Sequence, residues 1–159
     1  MNRIRDGVGA GRAECRRVTT WLAASLMLLK LMLQPWMTVV RMMKVHAGFR
    51  SPEDLKKTPL NPEPRSDQLE VNEYVDRSRR LNLNDLESIP GFLVAGLLFV
   101  LVDPPVLFAQ VVIWTYVVAR AAHFVAYLTA QVHDIRAFCW TWGSLAVIAM
   151  AAYVLMKAF

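Results

Sequence analysis

Apolar residues gather in blocks along this chain. Residues 18–40, 105–128 and 137–156 are almost continuously apolar, and each reaches the roughly 20 residues a helix needs to cross a bilayer. A shorter block, 88–102, follows a polar approach that extends it as helix. The pattern predicts an all-α integral membrane four-helix bundle. Its helices cover about residues 18–45, 72–102, 105–129 and 136–157, with short connections after the second and third. A basic tail, 1–17, precedes the helices, a loop, 46–71, joins the first two, and 18–159 reads as one domain. A soluble bundle fits poorly, because soluble helices of this length need a polar face and 137–156 has almost none.

Composition agrees: 55% of residues are hydrophobic and the mean hydropathy is +0.32, too apolar for an average soluble domain. Arg16 and Arg17 before the first block resemble the start of a signal peptide. The block is long, however, and no small-residue cleavage site closes it, so a retained helix is expected. Lys30 inside it reads as packed against a neighbouring helix or snorkelling. The net charge of +5 does not point to nucleic acid, because most basic residues flank the apolar blocks. The loop is more basic than the opposite side, which favours a cytoplasmic first loop. Cys15 and Cys139 are far apart and read as two unpaired thiols. The proline-containing stretch 56–68 reads as a surface loop.

The polar residues of the second and third helices share faces. Arg77, Arg80, Asn84 and Glu87 recur at i, i+3, i+7 and i+10, one stripe of a helix running into the membrane. Pro90 need not end that helix, since a membrane helix tolerates proline when neighbours satisfy the freed carbonyl. Arg120, His123 and Tyr127 recur at i, i+3 and i+7 inside the third block. A charge at membrane depth costs at least ~2.5 kcal/mol, so such residues point inward, toward partners or water. A structural pair of Arg120 with Glu87 or Asp85 is one reading and a site for a charged ligand is the other. Arg136 opens the fourth helix. Three arginines, a glutamate and an asparagine suit a small zwitterion with two carboxylates and one amine, because guanidinium forks onto carboxylate. His123 has no second ligand at metal spacing and reads as a hydrogen-bond partner; no metal site is expected.

Several motifs together resemble the MAPEG family, the membrane-associated proteins of eicosanoid and glutathione metabolism, in its microsomal glutathione transferase and prostaglandin E synthase branch. They are SPED (51–54), DRSRRLNLNDLESIPGF (76–92), ARAAHFVAYL (119–128) and the arginine opening the fourth helix. The resemblance covers about residues 20 to 157. It implies a homotrimer with glutathione, a cosubstrate, bound between neighbouring subunits, and a lipophilic small molecule entering from the bilayer. The family's glutathione contacts fall on Arg80, Asn84, Glu87, Arg120, His123, Tyr127 and Arg136, with Arg77 matching a further arginine of the motif. Arg41 matches the cation near the end of the first helix, with Lys44 as the alternative. By the same resemblance Arg136 favours the thiolate, and Asp54 matches a loop aspartate proposed to assist catalysis in the prostaglandin branch; Tyr127 reads as a further hydrogen-bond donor within the site.

The chain departs from the family at four places. Asn82 stands where histidine is usual. Leu83 stands where the prostaglandin synthases have arginine and the glutathione transferases leucine. Ala137 and Trp140 replace the serine and tyrosine of those synthases. These favour a glutathione transferase or peroxidase, active in detoxification, over a prostaglandin E synthase-type isomerase. A non-catalytic lipid-binding scaffold and a small transporter or channel are the other readings. The membrane expected is the endoplasmic reticulum in a eukaryote and the inner membrane in a bacterium.

Overall fold

The computed structural model describes residues 2–159, with side chains described from residue 9 onward; Arg3 and Arg5 of the expected tail lie outside the described side chains. Four helices form the chain: α1 (Asn2–Val45), α2 (Glu73–Leu101), α3 (Val106–Leu128) and α4 (His133–Ala158). Two short 3-10 turns, Pro52–Leu55 and Ser66–Leu69, lie between α1 and α2, and among the described residues there is no strand. All four helices are long and apolar enough to cross a membrane.

The largest difference from the sequence pattern is at the start. Residues 2–17, expected as a tail, continue α1. They hold no proline, and only the glycines at 7, 9 and 11 weaken the helix locally. At ~1.5 Å per residue α1 is about 66 Å long, roughly twice the ~30 Å hydrocarbon layer, so part of it must lie outside the lipid. Helix α4 begins at His133 rather than 136. Pro35 and Pro90 both sit inside uninterrupted helices.

The connections are set locally. After α2, Asp103 adopts φ 50°, and Pro104 and Pro105 prevent the helix from resuming. After α3, Ala130 adopts φ 56°. Its N–H donates to the Tyr127 carbonyl at 3.2 Å, and the Gln131 N–H donates to the Ala126 carbonyl at 2.9 Å. That pair of bonds is a Schellman ending, built here on alanine rather than glycine.

The chain forms two compact units, one from Met1–Leu29 with Glu87–Phe159, the other from Lys30–Leu86. In the first, the Phe92 and Tyr116 rings stack at 4.0 Å with 3° between planes. Tyr116 Oη lies 3.0 Å from Ser88 Oγ. Phe99 meets Phe108 and Tyr153 edge-on, which ties α2, α3 and α4 together. Arg16 of α1 pairs with Asp103, and both cysteines are free thiols.

In the second unit the buried and exposed faces of α1 are inverted relative to a soluble helix. Gln34, Thr38 and Arg41 are buried, while Met32, Leu33, Trp36 and Val40 are exposed. Lys30 forms an ion pair with Asp85. The loop is held by a reciprocal amide pair. Asn61 Nδ2 donates to Gln68 Oε1 at 2.8 Å and Gln68 Nε2 donates to Asn61 Oδ1 at 3.1 Å, both side chains being buried. Gly48 sits at φ 77°, where an added Cβ would come within 3.1 Å of Val75. That backbone shape favours glycine, and a Cβ there would need Val75 to give by a few tenths of an ångström.

Candidate functional site

The first unit contains Glu87, Arg120, His123, Tyr127 and Arg136; the second contains Arg41, Asp54, Arg77, Arg80 and Asn84.

In the first unit, the i, i+3, i+7 spacing on α3 puts Arg120, His123 and Tyr127 on one face. Arg120 is completely buried and His123 is 2% exposed. The His123 and Tyr127 rings have centroids 5.0 Å apart. Arg136, in the first turns of α4, places its guanidinium carbon 4.7 Å from the centre of the Tyr127 ring. This is cation–π distance, and the attraction strengthens where water is excluded. Arg136 Nε is buried with no hydrogen-bond partner among the described residues. α4 presents Gly143 to α3 beside Arg120, where an added methyl would meet ordinary van der Waals contact. A Cβ at Gly143 would lie 3.6 Å from Arg120 Cδ and 3.7 Å from Tyr116 Cδ2. The arrangement is a buried imidazole, a phenol and two guanidiniums on facing helices. It supplies hydrogen-bond donors and positive charge between α3 and α4. Glu87 is exposed on α2.

In the second unit, the α2 stripe is paired internally. Arg80 Nη1 donates to Asp76 Oδ2 at 2.7 Å, and its Nη2 reaches Glu73. Arg77 lies 3.8 Å from Glu73, one turn away. Asn84 is half-buried. Arg41 is buried, donates from Nη1 to the Tyr74 carbonyl at 2.9 Å, and lies 4.4 Å from the Tyr74 ring centre. It therefore fastens the start of α2 to α1, whereas Lys44 is exposed. Asp54 is exposed, and its carboxylate accepts the Ser51 N–H at 3.3 Å, capping the first 3-10 turn. Among the described residues no three His, Cys, Asp or Glu side chains are grouped to hold a metal.

Two features were not legible in the motifs. Asp85 is ion-paired with Lys30, a contact between residues far apart in sequence that no local spacing announces. Arg50 and Arg79 line a cavity of about 390 Å³ together with Asp76, Arg80 and Asn82. Arg79 lies off the α2 stripe and Arg50 lies in the loop, so helical periodicity missed both.

Four apolar helices long enough to cross a membrane, with arginine and histidine buried among them, define a multi-pass membrane protein. The chain belongs to the MAPEG family, whose model matches residues 19–156, a family of membrane four-helix bundles. It is 37% identical over 112 residues to "Microsomal glutathione S-transferase 1" of Bos taurus, covering 70% of this chain and 65% of that protein. The corresponding protein of Rattus norvegicus is 36% identical over 112 residues, with the same coverage. "Prostaglandin E synthase" of Canis lupus familiaris is 31% identical over 111 residues, covering 70% of this chain and 69% of that protein. The chain thus spans slightly less than two thirds of the bovine and rat relatives it matches.

Proposed function

We propose that the protein is a membrane-bound glutathione transferase with peroxidase capacity, acting on lipophilic electrophiles and lipid hydroperoxides. The observation that carries the reading is Arg136 over the Tyr127 ring, with buried His123 and Arg120 on the same face of α3. The names of the relatives supply the cosubstrate.

The nucleophile is the thiolate, not the thiol. A free thiol of pKa near 8.5 is only about 3% ionised at pH 7. A neighbouring guanidinium favours the anion, and lowering the pKa by about two units takes roughly 2.7 kcal/mol of differential interaction. In the proposed site Arg136 supplies that field and the Tyr127 hydroxyl donates a hydrogen bond to the sulfur. The thiolate attacks an electrophilic carbon, forming a thioether while the leaving group departs with the bonding pair. With a hydroperoxide it attacks the distal oxygen. The O–O bond breaks, the alkoxide takes a proton, and the resulting sulfenic acid is reduced by a second glutathione to the disulfide and water. Arg80, Asn84, Glu87 and Arg120 would recognise the cosubstrate, and the active form would be a homotrimer with the site between subunits.

A glutathione-dependent isomerase of the prostaglandin E synthase type is the second reading, favoured by the similarity to the canine protein. Leu83 and Ala137 weigh against it. The test is to titrate glutathione into the detergent-purified protein and follow thiolate absorbance in the ultraviolet. A thiolate formed at neutral pH and lost in Arg136→Ala supports the reading. Binding without a thiolate, or no binding, overturns it.

A further inference from the structure

The loop arginine Arg50 belongs to none of the motifs that point to glutathione, yet it is tied directly to one of the motif arginines. Its Nη2 donates to Asp76 Oδ1 at 2.7 Å. The other oxygen of the same carboxylate accepts Arg80 Nη1, also at 2.7 Å. Asp76 therefore holds a loop guanidinium and an α2 guanidinium against one carboxyl group. Both cations line the cavity of about 390 Å³, which Arg79 and Asn82 share. Arg50, Arg79 and Arg80 line the cavity against Asp76, and Glu73 pairs with Arg80 from beside it, so guanidiniums still outnumber carboxylates three to two. Asn82 Oδ1 is buried there with no hydrogen-bond partner among the described residues. Cations in excess call for a ligand carboxylate; a buried acceptor calls for an N–H. A short peptide with a free carboxylate supplies both.

We infer that Arg50 is a specificity-determining residue that binds one carboxylate of glutathione, held in place for that contact by Asp76. The inference rests on the glutathione reading above. Arg50 is suited to the contact because its side chain is 67% exposed at the cavity rim and, among the described residues, Asp76 is its one hydrogen-bond partner, whereas a guanidinium has five N–H donors. The same exposure means that Arg50→Ala removes no core contact.

The test measures glutathione Kd by calorimetry on the full chain in detergent, wild type against Arg50→Ala, with thermal unfolding of both. The titration is repeated with two analogues, glutathione amidated at its glycine carboxyl and glutathione lacking the α-carboxyl of its γ-glutamyl residue. Arg50→Ala is expected to weaken glutathione binding about tenfold, as loss of a charge-assisted contact does. The unfolding temperature should be unchanged, and the tenfold penalty should vanish with one of the two analogues. An unchanged Kd overturns the inference. So does a penalty of equal size for glutathione and both analogues, since Arg50 would then act only through Asp76. Failure of the wild type to bind glutathione overturns the functional reading itself, an outcome separate from any effect of Arg50.

Discussion

Lys30 of α1 is ion-paired with Asp85 of α2, and the Asp85 side chain is fully buried. Lys30 stands near the middle of an apolar block, where an isolated ammonium is costly. The pair belongs to the inverted face of α1, on which Gln34, Thr38 and Arg41 are also buried. Leucines, methionine and tryptophan point outward on that helix, as a helix facing lipid requires. Asp85 immediately follows Asn84, so the pair also fixes the α2 turn that carries a proposed glutathione contact.

Removing either partner breaks a largely buried ion pair. Lys30→Met and Asp85→Leu should each lower stability by on the order of 3 kcal/mol, the usual loss when half of a buried pair is deleted. The exchange Lys30→Asp with Asp85→Lys should recover part of it. Thermal unfolding in detergent checks this. Wild-type stability in Lys30→Met would show that Asp85 does not depend on the pair.

Arg136 and Tyr127 give a pH prediction whose sign is fixed by charge. A guanidinium beside the sulfur lowers the thiol pKa, so Arg136→Ala raises it. Each unit of increase removes about tenfold of the thiolate at pH values well below the pKa. The variant should therefore be about ten- to hundredfold slower near neutral pH and approach the wild type as pH rises. Tyr127→Phe keeps the ring under Arg136 but loses the hydroxyl, so it should shift the profile less than Tyr127→Ala. Rate–pH profiles measure both. A deficit in Arg136→Ala that is constant across pH would assign that residue to binding rather than ionisation.

The four helices were legible because a bilayer demands about 20 apolar residues in a row, a signal too long to arise in a small soluble domain. The start of α1 was not. Charge marks where a helix leaves the lipid, and it does not mark where the helix begins. The arginine stripe of α2 followed from the 3.6-residue repeat, but its pairing did not. Whether Arg80 meets Glu73 and Asp76 depends on rotamers, and whether Arg50 meets Asp76 depends on the path of the loop. Likewise the 3.6-residue repeat placed Tyr127 with His123, while the approach of Arg136 to that ring needed the α3–α4 turn, closed by an alanine at positive φ that carries no glycine signature.

Gly143 of α4 packs against α3 beside Arg120. An added methyl would sit at ordinary contact distance, 3.6 Å from Arg120 Cδ, so Gly143→Ala should leave stability nearly unchanged. Gly143→Leu has no such room and should cost about 1–3 kcal/mol by overpacking, with a matching loss of glutathione affinity as Arg120 is displaced. Unfolding temperature and calorimetric Kd, measured together, test the link. Loss of stability with unaltered affinity would remove Arg120 from the binding site.

Asp54 separates a structural role from a chemical one. Its carboxylate caps Ser51 on an exposed loop, and a cap of this kind contributes about 1 kcal/mol. Asparagine keeps an oxygen acceptor for the Ser51 N–H and removes the charge; alanine removes both. If the cap is its whole contribution, Asp54→Asn retains wild-type turnover and Asp54→Ala loses a little stability. That is the outcome expected from its contacts. Turnover falling equally in both variants, at unchanged unfolding temperature, would show instead that the charge of Asp54 takes part in the reaction, the role its match to the family motif implies.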